Sequence, residues 1–363
     1  MFLAQYSTLL RRMLPLLLLV ASPAQGFFRL QPVAGGWLLL NPAGTSVQLR
    51  ALNHVQLVPA SGVPLDLSPA YVLRRTAALN AAIRQDGFNA IGADSDAALW
   101  QRGLPYVESL QLSRQLASQQ QNPAVNVYAP DFAATVAVLV RVAVRPRRHD
   151  HRLIGYLSDD GLPWAPNRNP ELLLASYLAL PWSARASGGR EHAVDYLRLR
   201  YGNDIAALRR AWHTDASDFT SASAPQLPNP AFAADAAGFS AQVLARYLSV
   251  VARALHRQDP NHLFLGANLQ FRPAGKLGSI WSIAAVASVR LAPGANVAQV
   301  VAALAQRTAR PLWLELEGCR TVPPPDLAAA LANPRVIGFS WTPQADWRYG
   351  ACAVAASRLA SIR

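Results

Sequence analysis

From Arg50 to the C-terminus, short apolar runs bounded by turn residues alternate with stretches of helical periodicity, and the alternation repeats eight times. Strands separated by helices in this way run parallel, because a parallel neighbour needs a crossover of a dozen or more residues. Eight such units close a sheet on itself, so the pattern predicts an α/β fold, a (β/α)8 TIM barrel. The strand runs are Arg50 to Val55, Phe88 to Gly92, Tyr106 to Leu112, Leu153 to Leu157, His262 to Gly266, Val286 to Leu291, Pro311 to Leu316 and Arg335 to Trp341. Ser68-Pro69 opens the first helix, Val72, Thr76, Leu79 and Ile83 form its inner face, and Gly87 ends it. A second helix is predicted from about Asp131 to Val144, and the last from about Tyr349 to Ile362. Between strands four and five the chain is much longer than a crossover needs. It holds a helix opening at Asn169-Pro170, one carrying Val194, Leu197 and Tyr201, and one capped by Asn203. A long helix then runs from Asn229-Pro230 to the stop at Asp259-Pro260-Asn261. This predicts a helical insertion after strand four. Upstream, Trp37 to Leu40 followed by Asn41-Pro42-Ala43-Gly44 predicts a short N-terminal β-hairpin.

A chain of 363 residues admits two ordinary domains or one barrel, and no repeat or linker divides it. A single domain over residues 25–363 is therefore expected. Before it, Arg11-Arg12 precede the apolar run Met13 to Val20, and Ser22-Pro23-Ala24 supply small residues for cleavage. That run is too short to cross a bilayer. Residues 1–24 read as a signal peptide, with no stable membrane span after cleavage and a periplasmic or secreted destination. Export puts Cys319 and Cys352 in an oxidising compartment, where they are free to pair; their spacing does not decide whether they do. The net charge of +13 comes almost wholly from arginine, since Lys276 is the only lysine. The basic residues are scattered without interleaved aromatics, so no nucleic acid partner is expected. A positive surface suits an anionic polysaccharide or an acidic envelope surface instead. Phosphate-cradling glycine loops, paired-cysteine motifs and a nucleophile elbow are missing, and His149-Asp150-His151 precedes a strand, on the barrel's stability face. No cofactor and no metal are expected.

Chemistry is concentrated at two strand ends. Strand four leads into Gly155-Tyr156-Leu157-Ser158-Asp159-Asp160-Gly161-Leu162-Pro163-Trp164, and strand seven reads Trp313-Leu314-Glu315-Leu316-Glu317-Gly318. C-terminal strand ends of a parallel barrel share one mouth, where side chains distant in sequence converge. Glu315 and Glu317 are two apart and so point to the same side of a regular strand. Only five glutamates occur in the chain, and two of them sit here. Glycosidic cleavage uses two carboxyl groups, one protonating the leaving oxygen and one attacking or activating water. These segments resemble glycoside hydrolases of the barrel clan A, in which that pair sits at the ends of strands four and seven, and the resemblance implies Glu317, nearer the strand end, or Glu315 as nucleophile and Asp160 or Asp159 as acid/base. The plainer alternatives are a structural glutamate paired with an arginine and aspartates that cap the following loop. His54, Trp164 and Trp341 sit where they would line a cleft, and Asp94 follows strand two; core packing accounts equally well for each tryptophan.

The strand-four segment resembles glycoside hydrolases of the barrel clan A, nearest the β-agarase-like and β-galactosidase-like members. Their fourth strand ends in Gly-Tyr-Phe-x-Asp-Asn-Glu-Leu-Pro-Trp, matched here by Gly155, Tyr156, Asp159, Leu162, Pro163 and Trp164. Further blocks agree in order: Trp37 to Gly44, Gly87 to Gly92, Gly103 to Tyr106, Asn126 to Phe132, Tyr201 to Trp212, Asp259 to Gly266 and Ile337 to Trp341. The resemblance implies an exported protein acting on a polysaccharide or oligosaccharide by carboxylate-based hydrolysis of O-glycosidic bonds. It also exposes departures. Gly161 stands in the acid/base slot and Asp160 in the preceding Asn slot. Asn268 replaces a basic residue after strand five, and Ser288 to Pro293 lack the strand-six Tyr. These losses imply the alternative of a catalytically inactive barrel that binds glycan in the envelope or in exopolysaccharide assembly.

Overall fold

A computed structural model describes residues 26–363 apart from 59–67, 102, 123, 163–169, 183–187, 271–279, 293, 319–325, 344–345, 349 and 362–363. The signal segment, Trp164 and Cys319 therefore lie outside the described residues. Cys352 is buried and disulfide-bonded.

The chain begins with an antiparallel hairpin, β1 (Arg29–Val33) and β2 (Gly36–Leu40). The barrel strands follow: β3 (Leu49–Leu52), β4 (Ala90–Ile91), β5 (Tyr106–Ser109), β6 (Leu153–Leu157), β7 (Leu263–Gly266), β8 (Leu269–Gln270), β9 (Ala287–Arg290), β10 (Leu312–Glu317) and β11 (Val336–Thr342). All nine run parallel in the order β7-β6-β5-β4-β3-β11-β10-β9-β8. β7 and β8 are two halves of the fifth barrel strand. β7 pairs with β6, and after Ala267-Asn268 the chain pairs with β9 as β8. Ala285 N–H donating to Phe264 O at 2.9 Å adds to that seam, so eight strand positions form the (β/α)8 ring. At Gly155 a Cβ would come within 2.2 Å of Leu263 O, which explains glycine where β6 and β7 approach closely.

The helices around the ring are α1 (Pro69–Gln85), α2 (Leu112–Gln120), α3 (Phe132–Val144), α4 (Pro170–Leu178), α5 (Gly189–Arg200), α6 (Ile205–Trp212), α7 (Pro230–Gln258), α8 (Val297–Ala305), α9 (Leu327–Leu331) and α10 (Gly350–Ser361). α4 to α6 and the start of α7 make the insertion expected after strand four. Asn229 caps α7 by accepting Phe232 N–H at 2.8 Å, with Pro230 in the first turn. Asp235 holds the insertion together: its carboxylate accepts from Arg200, Tyr201 and Trp212. Several expected boundaries differ, three of them for a local backbone reason. Strand three stops at Ser109 because Gln111 takes a left-handed conformation (φ 47) and α2 begins at Leu112. Strand one ends at Leu52, two residues before left-handed His54. α6 is capped by Asp204, not Asn203, which is itself left-handed (φ 61).

Two apolar layers separate along each strand. Leu49, Ala51, Ala90, Val107, Ile154, Leu157, Leu265, Trp313 and Ile337 fill the barrel interior, together with Phe28 and Leu39 from the hairpin segment. Leu52, Ile91, Tyr106, Tyr156, Leu314 and Phe339 face the helices. The period of two that divides these layers also fixes which side chains at the strand ends face the mouth.

Candidate active site

On β10, Leu314 and Leu316 face the helices while Trp313 packs inside, so Glu315 and Glu317 point into the barrel. Glu315 is fully buried; Glu317, at the rim, keeps 34% of its side chain exposed. Arg290, the last residue of β9, lies across both. Its Nη2 donates to Glu315 Oε1 at 2.9 Å and to Asp160 Oδ1 at 2.7 Å, and its Nε lies 3.3 Å from Glu317 Oε1. Thr342, the last residue of β11, donates to Glu315 Oε1 at 3.0 Å.

Asp160 follows β6 and is held from three sides. His54 Nε2 meets Oδ2 at 2.8 Å, and Asn268 Nδ2 donates to Oδ1 at 2.7 Å beside Arg290. Asn268 reaches Asp160 because it sits in the break between β7 and β8. His54 follows β3 in a left-handed conformation (φ 57), with its backbone N–H bonded to Ala93 O. Asp94 (φ 53), following β4, accepts from Gln111 Nε2 at 3.0 Å. One polar atom each of His54, Asp94 and Asp160 lie within 4.8 Å of one another. A cation here would have to break the His54–Asp160 contact beside the Arg290 charge, which weighs against a metal.

The environment drives these groups apart electrostatically. Burial pushes Glu315 up, reinforced by Asp160 and only partly offset by Arg290, to about 8. Burial also pushes Asp160 up, but the bond to His54, the Arg290 charge and Asn268 outweigh it and hold the group below its ordinary range. The hydrogen bond to Asp160 raises His54 against the effect of burial. Near neutral pH, Glu315 therefore tends to be protonated and Asp160 ionised.

Asp159 takes no part in this cluster. Its Oδ1 accepts Ser113 N–H at 2.8 Å and its Oδ2 the Tyr247 hydroxyl, tying β6 to α2 and α7. Burial pushes it up to about 6. Replacing Asp159 with Asn is expected to lower stability by about 1–3 kcal/mol in denaturant unfolding while leaving ligand affinity at the mouth unchanged. A loss of affinity without a loss of stability would contradict this placement.

Trp341 is 2% exposed, stacks on Phe88 at 5.9 Å and donates to Gly318 O. It belongs to the layer facing the helices, so it does not line the mouth. The cluster thus joins Glu315, Glu317, Asp160, His54, Asn268 and Asp94, but neither Asp159 nor Trp341. Sequence reading did not single out Arg290, Gln111 or Thr342. An arginine at the C-terminal end of a barrel strand was the available signal for the first.

Gly161 adopts φ +83, and a Cβ built there would meet Arg290 Nη1 at 3.0 Å. The guanidinium lies where a side chain on residue 161 would project.

No family model matches the chain. β-Agarase A of Vibrio sp. (strain JT0107) is 27% identical over 217 residues, which are 55% of this chain and 22% of that relative. Among solved structures, an exo-β-agarase superposes with a TM-score of 0.65 at 16% identity, covering 88% of this chain and 59% of its own. A β-galactosidase from Rahnella sp. R3 gives 0.57 at 11% identity, covering 88% and 56%. The chain therefore has the barrel fold of agarases and β-galactosidases, and it spans less than two thirds of each of these proteins.

Proposed function

We propose that the chain is a polysaccharide-recognising barrel of the glycoside hydrolase type, in which the usual carboxylate pair of strands four and seven does not cleave. The observation that carries this reading is Arg290. Its guanidinium occupies the space beside Gly161 and is bonded to both Asp160 and Glu315. The remaining carboxyls are poorly disposed for cleavage. Both oxygens of Asp160 are engaged, and its lowered pKa leaves it without a proton to donate at working pH. Glu315 is closed off from solvent. Export to the periplasm or the exterior, and a role in the envelope or in exopolysaccharide assembly, belong to this reading through the character of residues 1–24. The agarase and β-galactosidase neighbours support a saccharide ligand through their fold.

Hydrolysis is the second reading, with Glu317 (or Glu315) as nucleophile and Asp160 as acid. It is favoured because Asp160 and Glu315 share one nitrogen at 2.7 and 2.9 Å. Their nearest oxygens are thus closer than the roughly 6.5–9.5 Å of an inverting pair. A panel of galactans, glucans and amino-sugar polymers, scored for binding and for new reducing ends, separates the two. Binding without release is expected. Release that disappears in Glu317→Gln or Glu315→Gln would establish hydrolysis and overturn the first reading.

A further inference from the structure

The end of the barrel away from the mouth, where the chain enters the strands, carries a series of arginines. Arg84 lies in the last turn of α1, Arg145 at the C-terminus of α3 and Arg257 in the last turn of α7. A cation there offsets the helix dipole, but Arg148, Arg310 and Arg335 lie outside helices, on the links into β6, β10 and β11. Among the described residues none of these six forms an ion pair. Arg310 and Arg335 donate to backbone carbonyls, Ser282 O and Ala305 O among them, which does not neutralise their charge. Asp86, Asp150 and Asp259 at this end are engaged within the fold by Trp347, Arg152 and His262.

The β1–β2 hairpin caps the same end. Phe28 and Leu39 enter the barrel interior, and Trp37 donates through its backbone N–H to Pro334 O at 2.8 Å and through Nε1 to Ala309 O at 2.9 Å. From Leu30 to Leu49 the chain has no charged residue. The hairpin tip, Gln31 to Gly35, is exposed throughout and includes Pro32, Val33 and Ala34. A Cβ added at Gly35 would meet nothing within 4 Å, so the tip stands clear of the barrel. An uncharged, largely apolar tip beside arginines matches a bilayer surface, whose headgroups take the cations and whose interface takes the apolar side chains.

We propose that this end of the barrel docks on an anionic lipid surface and so holds the mouth facing away from the membrane. The path of the chain favours lipid over a soluble polyanion. The described residues begin at this end, with His151 Nδ1–H donating to Gly26 O and Phe27 set against the His151 and His262 rings. The apolar run Met13 to Val20 comes shortly before that junction. A leader inserted during export therefore brings this face, and not the mouth, to the bilayer. A soluble polyanion would answer the arginines but leave the hairpin tip without a role.

The test sediments the chain, as recovered after export, with vesicles of phosphatidylcholine alone and with vesicles containing roughly one third phosphatidylglycerol. Affinity is expected to be at least about tenfold higher for the anionic vesicles and to fall at high salt. Each arginine near an anionic surface is worth roughly fivefold, so Arg145→Gln with Arg148→Gln is expected to weaken binding at least about tenfold. Val33→Asp, at the exposed tip, is expected to weaken it about tenfold as well. The control pair Arg209→Gln with Arg210→Gln removes the same charge from α6, which ends beside the opposite, N-terminal end of α7 where Asn229 donates to Ala211 O, and is expected to change little. Equal binding to both vesicle types, no binding, or equal loss in the control pair overturns the proposal. A polyuronate that binds as tightly as the anionic vesicles, with Val33→Asp having no effect, makes this end a polyanion site and overturns the lipid assignment. Thermal melting shows whether the variants fold; if Val33→Asp does not, the two arginine pairs decide. This end shares no residue with the cluster at the mouth, so saccharide recognition is untouched by either outcome.

Discussion

Replacing Arg290 with Met is expected to destabilise the protein by about 3–5 kcal/mol at pH 7.5, read as a shift in the urea unfolding midpoint. Arg290 keeps 13% of its side chain exposed and is the one guanidinium among the described residues that touches Asp160, Glu315 and Glu317 together. Methionine fills similar space but returns none of the charge, so buried carboxyls are left facing one another. Adding Glu315→Gln is expected to recover little of the loss at pH 7.5, because Glu315 is already largely protonated there and the stranded charge is that of Asp160. If Arg290→Met is as stable as the unaltered chain, the ion cluster does not hold the mouth together.

The second large effect is a pH dependence. Burial raises Glu315 to about 8 and Glu108 to about 7, and Asp159 is raised to about 6. A raised carboxyl pKa means that the folded state holds the proton more firmly than the unfolded chain. The stability it contributes is complete below the unfolded value, near 4, and is lost as pH rises through the folded value. His54, also raised, acts with the same sign. Asp150, Asp160 and Asp259 are lowered, so their contribution falls away only under more acidic conditions. Stability is thus expected to peak near pH 5 and to decline toward pH 8.5. Glu315→Gln should flatten that decline and raise stability at pH 8.5 by about 2–4 kcal/mol, with little change at pH 5. A melting temperature that rises from pH 5 to pH 8.5, or a slope untouched by the substitution, would contradict this account.

Much of the architecture was legible because it rests on local signals. The eight strand–helix alternations, the Asn229-Pro230 start of α7 and the insertion after strand four follow from caps, periodicity and connection length. The breaks were not. Gln111, His54 and Asp94 adopt left-handed conformations although none is glycine, and the packing around the strand ends imposes this. Trp341 was ambiguous for another reason: β11 is buried on both faces, so hydrophobicity does not alternate along it and its phase is hidden. In the structure Ser340 accepts from Trp313 Nε1 inside the barrel, which turns Trp341 outward. The site was half legible. The sequence brings attention to the carboxylates and to the absent acid at Gly161. Arg290, whose guanidinium lies beside Gly161, has partners 130, 25 and 27 positions away.

Where the fifth strand loses its regular ladder at Ala267-Asn268, Asp160 is stitched across the gap to side chains from strands one, five and six. A tie of this kind works like the hoop of a cask. It lets the main chain be interrupted without letting the staves part. Amide hydrogen exchange along the seam between Leu263–Gly266 and Ala287–Arg290 should therefore quicken when Asp160 is changed to Ala, while the opposite wall, Leu49–Leu52 with Val336–Thr342, keeps its protection.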